Sequence, residues 1–131
     1  MDNENYEGKI KSFTNLNAWG KSHDLVLQIY KITNSFPKEE LFGLTNQLRR
    51  AAVSISSNIA EGFSRGSFKE KIQFYFMALG SLSEVQNQLL IARDIGYLDI
   101  KIFNDITYKT TLVSKLINGL IKKCKTIIHN T

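Results

Sequence analysis

Six polar side chains recur at three- and four-residue intervals along one stretch of the chain: Gln47, Arg50, Ser54, Asn58, Glu61 and Arg65. On an α-helix that spacing draws them into a line about a quarter turn from the apolar stripe Leu44, Leu48, Ala51, Ile55, Ile59 and Gly62. Two guanidinium groups and a carboxylate so arranged have the means to hold an anion or to act as an acid-base pair. Ser81, Glu84 and Gln88 repeat the spacing further along. Nucleophilic catalysis, however, needs a nucleophile activated by a base, and no Ser/His/Asp or Cys/His set accompanies the line. Gly62, Gly66, Gly80 and Gly96 stand singly rather than in a loop that would cradle phosphate. Ser54 and Asn58 are short, poor helix formers suited to close packing and fixed hydrogen bonds. The nine residues therefore read foremost as a polar network that sets helix register or subunit geometry, with anion contact as the lesser reading. No catalytic residue is assigned, and the chain is expected not to be an enzyme.

Metal and cofactor chemistry find no support. His23 and His129 lie far apart, neither in a cluster with ligand spacing, and Cys124 falls on an apolar stripe where a buried, inert thiol is expected. The remaining chemistry is charge. The net charge is +5, and after Asp105 no acidic residue follows while Lys109, Lys115, Lys122, Lys123 and Lys125 do. Lys101, Lys115 and Lys122 share the outward face of the last helix with Tyr108, an arrangement able to track phosphates. The five candidate nucleic-acid contacts are Lys101, Lys109, Lys115, Lys122 and Lys123. The competing reading is a solubilising surface whose lysines suit the C-terminal end of a helix dipole.

The elements that must position these groups are all helical. At 131 residues, 43% apolar and with a single proline, the chain is one domain, 13–131, behind a disordered tail, 1–12. No apolar run approaches the roughly 20 residues that span a bilayer, and the polar start does not resemble a signal peptide, so a cytoplasmic location is expected. The spacing predicts a first helix over Leu16 to Ser35, stopped by Phe36-Pro37, and a second over Lys38 to Phe63. A third runs from Phe68 to Ile95 after a Ser67/Glu70 capping box and ends at Gly96; a fourth covers Ile100 to Ile128. The fourth carries the seam Phe103, Ile106, Thr110, Val113, Ile117, Leu120, Cys124 and Ile127. Short joints favour an antiparallel up-down-up-down four-helix bundle.

Two helices carry more apolar surface than one bundle uses. The first has Trp19, His23, Val26, Tyr30 and Thr33 on one stripe and Ala18, Leu25, Ile29, Ile32 and Phe36 on another. The third has Ile72, Phe76, Leu79 and Leu90 against Phe74, Ala78, Val85 and Ala92. Such area is not left in water by a soluble monomer, so homo-oligomerisation is expected; the alternative is a thick core using both stripes.

Between Phe13 and Leu98 the chain resembles the four-helix-bundle proteins named after the intervening sequences of bacterial 23S ribosomal RNA genes. The resemblance rests on Phe36-Pro37 and Glu40, on Gly43-Leu44, Gln47, Arg49-Arg50-Ala51-Ala52, Ser54-Ile55 and Asn58-Ile59-Ala60-Glu61-Gly62, and on Arg65, Ser67 and Glu70. It continues in Ala78, Gly80-Ser81, Glu84, Gln88-Leu89, Ala92 and Gly96-Tyr97. Ser56-Ser57 stands where many members have a proline, and Leu79 where members often carry a basic residue. The resemblance implies a ring-like homopentamer, and it places the chain beside basic accessory proteins of diversity-generating retroelements, which bind nucleic acid and a reverse transcriptase. No catalytic residues carry over. The expected function is a non-enzymatic oligomer binding RNA or DNA in a ribonucleoprotein or mobile-element setting; the alternative is a protein-protein adaptor ring.

Overall fold

The computed structural model describes residues 10–130. These form four α-helices, with no strand among them: α1 (Asn17–Thr33), α2 (Leu44–Ser64), α3 (Phe68–Asp94) and α4 (Ile100–His129). Short 3-10 turns, Phe13–Asn15 and Lys38–Glu40, precede α1 and α2. Of the expected tail, residues 1–9 lie outside the described residues. The rest is built into the fold: the Ser12 hydroxyl accepts from the Thr14 amide, the Asn15 side chain accepts from the Ser12 amide, and Ile10 packs against the core. No helix of the described residues is long and apolar enough to cross a membrane.

The joints follow local chemistry. Ser67 and Asp99 cap α3 and α4 by accepting from the Glu70 and Ile102 amides at 3.2 and 2.9 Å. α3 ends where Gly96 takes a φ of +87°, a conformation favouring glycine, while the Tyr97 amide bonds back to the Ala92 carbonyl at 2.8 Å. The second helix begins later than its sequence suggests. Lys38–Glu40 is only a 3-10 turn, because the Glu40 carboxylate folds back to accept from the Leu44 amide at 3.0 Å and so starts α2 afresh. Its other oxygen accepts from the Tyr97 hydroxyl at 2.8 Å, and the Tyr97 ring lies 5.3 Å from Phe36. One carboxylate thereby ties two joints together.

Each helix contributes a stripe to a common core. Leu25, Ile29, Leu48, Ile55, Ile59, Leu82, Val85, Leu89, Ile106, Val113 and Ile117 are buried at its centre. On α1 the core track is Ala18, Ser22, Leu25, Ile29 and Thr33. The stripe through Trp19 and Tyr30 is instead peripheral: Tyr30 and His23 are exposed, and Trp19 is covered within the subunit by the Phe13 edge at 5.4 Å and the stacked His23 ring at 4.8 Å. On α4 the seam passes from Ile117 to Ile121 and Cys124, leaving Leu120 half-buried. A straight helix turns once per 3.6 residues, so a strict 3,4 alternation drifts off the core and one extra step of four restores it. On α3 the core side is Tyr75, Ala78, Leu82, Val85, Leu89 and Ala92, whereas Phe76, Met77, Leu90, Ile91 and Ile95 stay exposed.

The most extensive helix contact is between α2 and α3. It is close because its residues are small: a Cβ added to Gly62 would stand 2.7 Å from the Tyr75 ring. Burial drives the Tyr75 hydroxyl up to about 12, with the neighbouring Cys124 adding to the effect, and holds the Cys124 thiol itself above its usual range.

Gly62→Ala should destabilise the fold by about 1–3 kcal/mol through overpacking, less whatever the helix gains from losing a glycine. Gly80→Ala, where an added Cβ meets nothing within 4 Å, should stabilise by about 0.5–1 kcal/mol. Urea unfolding of the two variants checks that the signs are opposite. Glu40 provides a pH test. Its carboxyl sits below the usual range, first through the Leu44 amide and then through the Tyr97 hydroxyl. A carboxyl depressed on folding contributes stability above its unfolded pKa that is lost as pH falls through the folded one. Glu40→Gln should therefore lower the melting temperature at neutral pH and flatten its decline on acidification below about pH 4.5.

Candidate functional site

The polar line of α2 faces α3, and it divides into two parts. In the first, the Ser54 and Ser81 hydroxyls bond across the helix pair at 2.8 Å, and the Asn58 amide donates to the Ser54 carbonyl at 2.9 Å and to its hydroxyl at 3.1 Å. The Gln88 amide donates to Gln47 at 3.4 Å, a long bond. Arg50 and Glu84 stand on opposite walls of a groove that Gln47, Ser54 and Gln88 also line, a space of about 360 Å³. Among the described residues they form neither an ion pair with each other nor a side-chain hydrogen bond. In the second part, Arg65 pairs with Glu61 at 2.8 Å, reaches Glu70 at 4.0 Å and lies 4.6 Å from the Phe74 ring.

Glu61 does not neutralise a buried arginine in this geometry. The side chains of Arg65 and Glu61 are 40% and 48% exposed, so the pair is held in high dielectric and replacing one partner strands no buried charge. Arg50 is exposed as well and does not reach Glu61. The lining of the α2–α3 groove has one serine hydroxyl, that of Ser54, and no histidine beside it. No group of three His, Cys, Asp or Glu among the described residues is placed to hold a metal ion.

The lysines of α4 fall into two classes. Lys101, Tyr108, Lys115 and Lys122 are exposed and follow at seven-residue steps, opposite the buried seam from Phe103 to Cys124. At 1.5 Å per residue the row is about 32 Å long. Between its lysines lie exposed Asn104, Thr111 and Asn118, and the exposed carboxylate of Asp105 stands one turn from Lys101, both lining a groove against α1. Lys109 belongs elsewhere: it pairs at 3.5 Å with Asp105, which also accepts from Gln28 of α1 at 2.9 Å, and those two interactions hold the Asp105 carboxyl below its usual range, Gln28 contributing more. Lys123 is exposed one residue beyond the row, and Lys125 turns aside to lie 5.4 Å from the Phe76 ring.

One surface was not read from the sequence. Phe42 is 90% exposed, beside exposed Leu41, Val53 and Tyr30, along a groove of about 620 Å³ that shares Arg50 and Ser54 with the polar groove. Arg49 sits in its wall, donating to Thr33 at 2.9 Å and Asn34 at 3.1 Å with its guanidinium 4.6 Å from the Tyr30 ring. The signal available was the Leu41-Phe42 pair just before Gly43, two apolar residues that fit no helix stripe.

Residues 14–119 match the family model described as 23S rRNA-intervening sequence protein. A crystal structure of a protein with unknown function from the S23 ribosomal protein family of Bacteroides thetaiotaomicron superposes on the chain with a TM-score of 0.72 at 24% identity. The match covers 80% of this chain and 98% of that one, and it carries the fold alone. No curated protein matches the chain.

Glu61→Ala should lower stability by no more than about 0.5 kcal/mol, the scale of an exposed i,i+4 pair. A thermal melt of the variant beside the parent measures it; a loss of several kcal/mol would show that the pair is buried in solution.

Proposed function

The chain belongs to the family of 23S rRNA-intervening sequence proteins, and from that premise we propose that it is a non-enzymatic bundle that associates with copies of itself and binds RNA or DNA along α4. The observation that carries this reading is the row Lys101, Lys115 and Lys122, exposed at seven-residue multiples on the side of α4 turned away from its core seam. A straight row of lysines matches a phosphate backbone, whose neutralisation releases counterions and whose recognition is salt-dependent. It reads no base edges, so sequence preference is low. Tyr108, 71% exposed within the row, adds one ring on which a base can stack.

An antiparallel up-down-up-down arrangement is part of the proposal. Its support is that partner numbers rise on one helix as they fall on the other: Gln47 with Gln88 and Ser54 with Ser81, and likewise Gln86 with Thr110 and Arg93 with Phe103. Self-association is supported by apolar side chains left outside the core, above all Phe42, Met77, Ile91 and Ile95. A ring of five copies would repeat the lysine row five times and turn a modest charge into a strong field. The exposed Leu41 and Phe42 favour a second reading, in which the assembly is an adaptor for a protein partner such as a reverse transcriptase and nucleic acid is incidental.

Light scattering at micromolar concentration should report a multimer, with five subunits expected; a stable monomer would remove the multiplied field. The triple variant Lys101→Glu, Lys115→Glu, Lys122→Glu should keep parental helicity and mass, because these side chains support no core contact. Its affinity for single- and double-stranded RNA and DNA should fall below detection, and with it the steep decline of parental affinity between 50 and 200 mM salt, which spans about a thousandfold when six or more phosphates are contacted. Undiminished binding by the triple variant would put the adaptor reading ahead.

A further inference from the structure

The α2–α3 groove holds polar groups whose bonding capacity is incomplete, and they differ in kind. At its depth lies Gln88, only 8% exposed, whose Oε1 is shielded and accepts no hydrogen bond. A buried amide oxygen without a donor is costly, so the site is poised for an N–H or O–H group. On the α2 wall stands the Arg50 guanidinium, a fork of donors suited to a carboxylate. On the α3 wall stands Glu84, an acceptor suited to a cation. Two opposite charges that line one groove and do not pair leave space between them for something that meets both.

We propose that this groove is a binding site for a small zwitterion of the free α-amino-acid class. Its carboxylate would lie against Arg50, and its ammonium would donate inward to Gln88 Oε1 and outward to Glu84. A lone anion would satisfy Arg50 and repel Glu84; a lone amine would do the reverse. A ligand with both charged groups on one carbon completes the set. The space of about 360 Å³ is at the small end of ligand-enclosing pockets, about 300–1,000 Å³, which fits a metabolite of this size better than a nucleotide. The Ser54 hydroxyl lies in the same lining, within reach of the ligand's polar atoms. The α4 row plays no part, so this site stands or falls separately from nucleic-acid binding.

Calorimetric titration of the full chain with each standard L-amino acid at millimolar concentration tests the proposal, with the melting temperature and the mass in solution recorded for the same samples. At least one amino acid should bind once per subunit with a Kd below about 1 mM and raise the melting temperature. The primary amine and the carboxylic acid that each lack one of its charged groups should bind about tenfold more weakly or worse. Arg50→Gln and Glu84→Gln, both at exposed positions where folding is not at risk, should each weaken binding by about tenfold at unchanged mass. Absence of binding by any amino acid would overturn the proposal, as would affinities that ignore both substitutions. A change in subunit number in either variant, without amino-acid binding by the parent, would show the groove to be covered by a neighbouring copy and would overturn it equally.

Discussion

The close approach of α2 and α3 is the constraint on which the rest of the molecule depends. Helix axes come near one another only where side chains are small, and here Ser54 meets Ser81 while Gly62 lies against the Tyr75 ring. The Ser54–Ser81 bond spans the pair without a long side chain. That geometry turns the flanking polar residues into walls of a shared groove, where Arg50 and Glu84 face one another without meeting. It also fixes the rotation of α3 about its axis, sending Ala78, Val85 and Ala92 inward and leaving Met77 and Ile91 outside.

α4 answers a different demand. Its inner face buries Ile106, Thr110, Val113 and Ile117, and even the threonine is satisfied there, donating to the Thr107 carbonyl at 2.7 Å and accepting from Gln86 at 3.2 Å. Its outer face carries no structural duty, which frees it to bear lysine, asparagine and tyrosine at regular steps. The helix that closes the core is therefore also the one whose surface can be recharged at little cost to folding.

Four helices, their order and most of their ends were legible because the signals are local: Pro37 after the first helix, Ser67 with Glu70 at the third, Gly96 at its close. The Leu41–Gly43 turn was not, because Glu40 breaks the helix by capping Leu44 while held from a distant joint by Tyr97. Periodicity offered two apolar stripes on the first helix without deciding between them; the core takes the one with the branched Leu25 and Ile29, and Phe13 and His23 supply the Trp19 indole with cover of their own. Of the candidate site, the lysine row was readable as a period of seven. Sequence gives the face on which a charge sits but not its distance across a groove, so the non-pairing of Arg50 with Glu84 and the bond from Gln28 to Asp105 emerge only in three dimensions.

The Gln28–Asp105 bond joins residues 77 positions apart, whereas the α2–α3 and α3–α4 contacts join helices that are neighbours along the chain. That difference orders the search for the native state. Contacts between adjacent helices close short loops and reward them at once, while the α1–α4 seam must bring distant segments together before any contact forms. The logarithmic growth of loop entropy makes this last closure only modestly dearer once α2 and α3 have already shortened the path. The seam between the first and last helices is thus the natural late step of folding and the first boundary to part when the bundle opens.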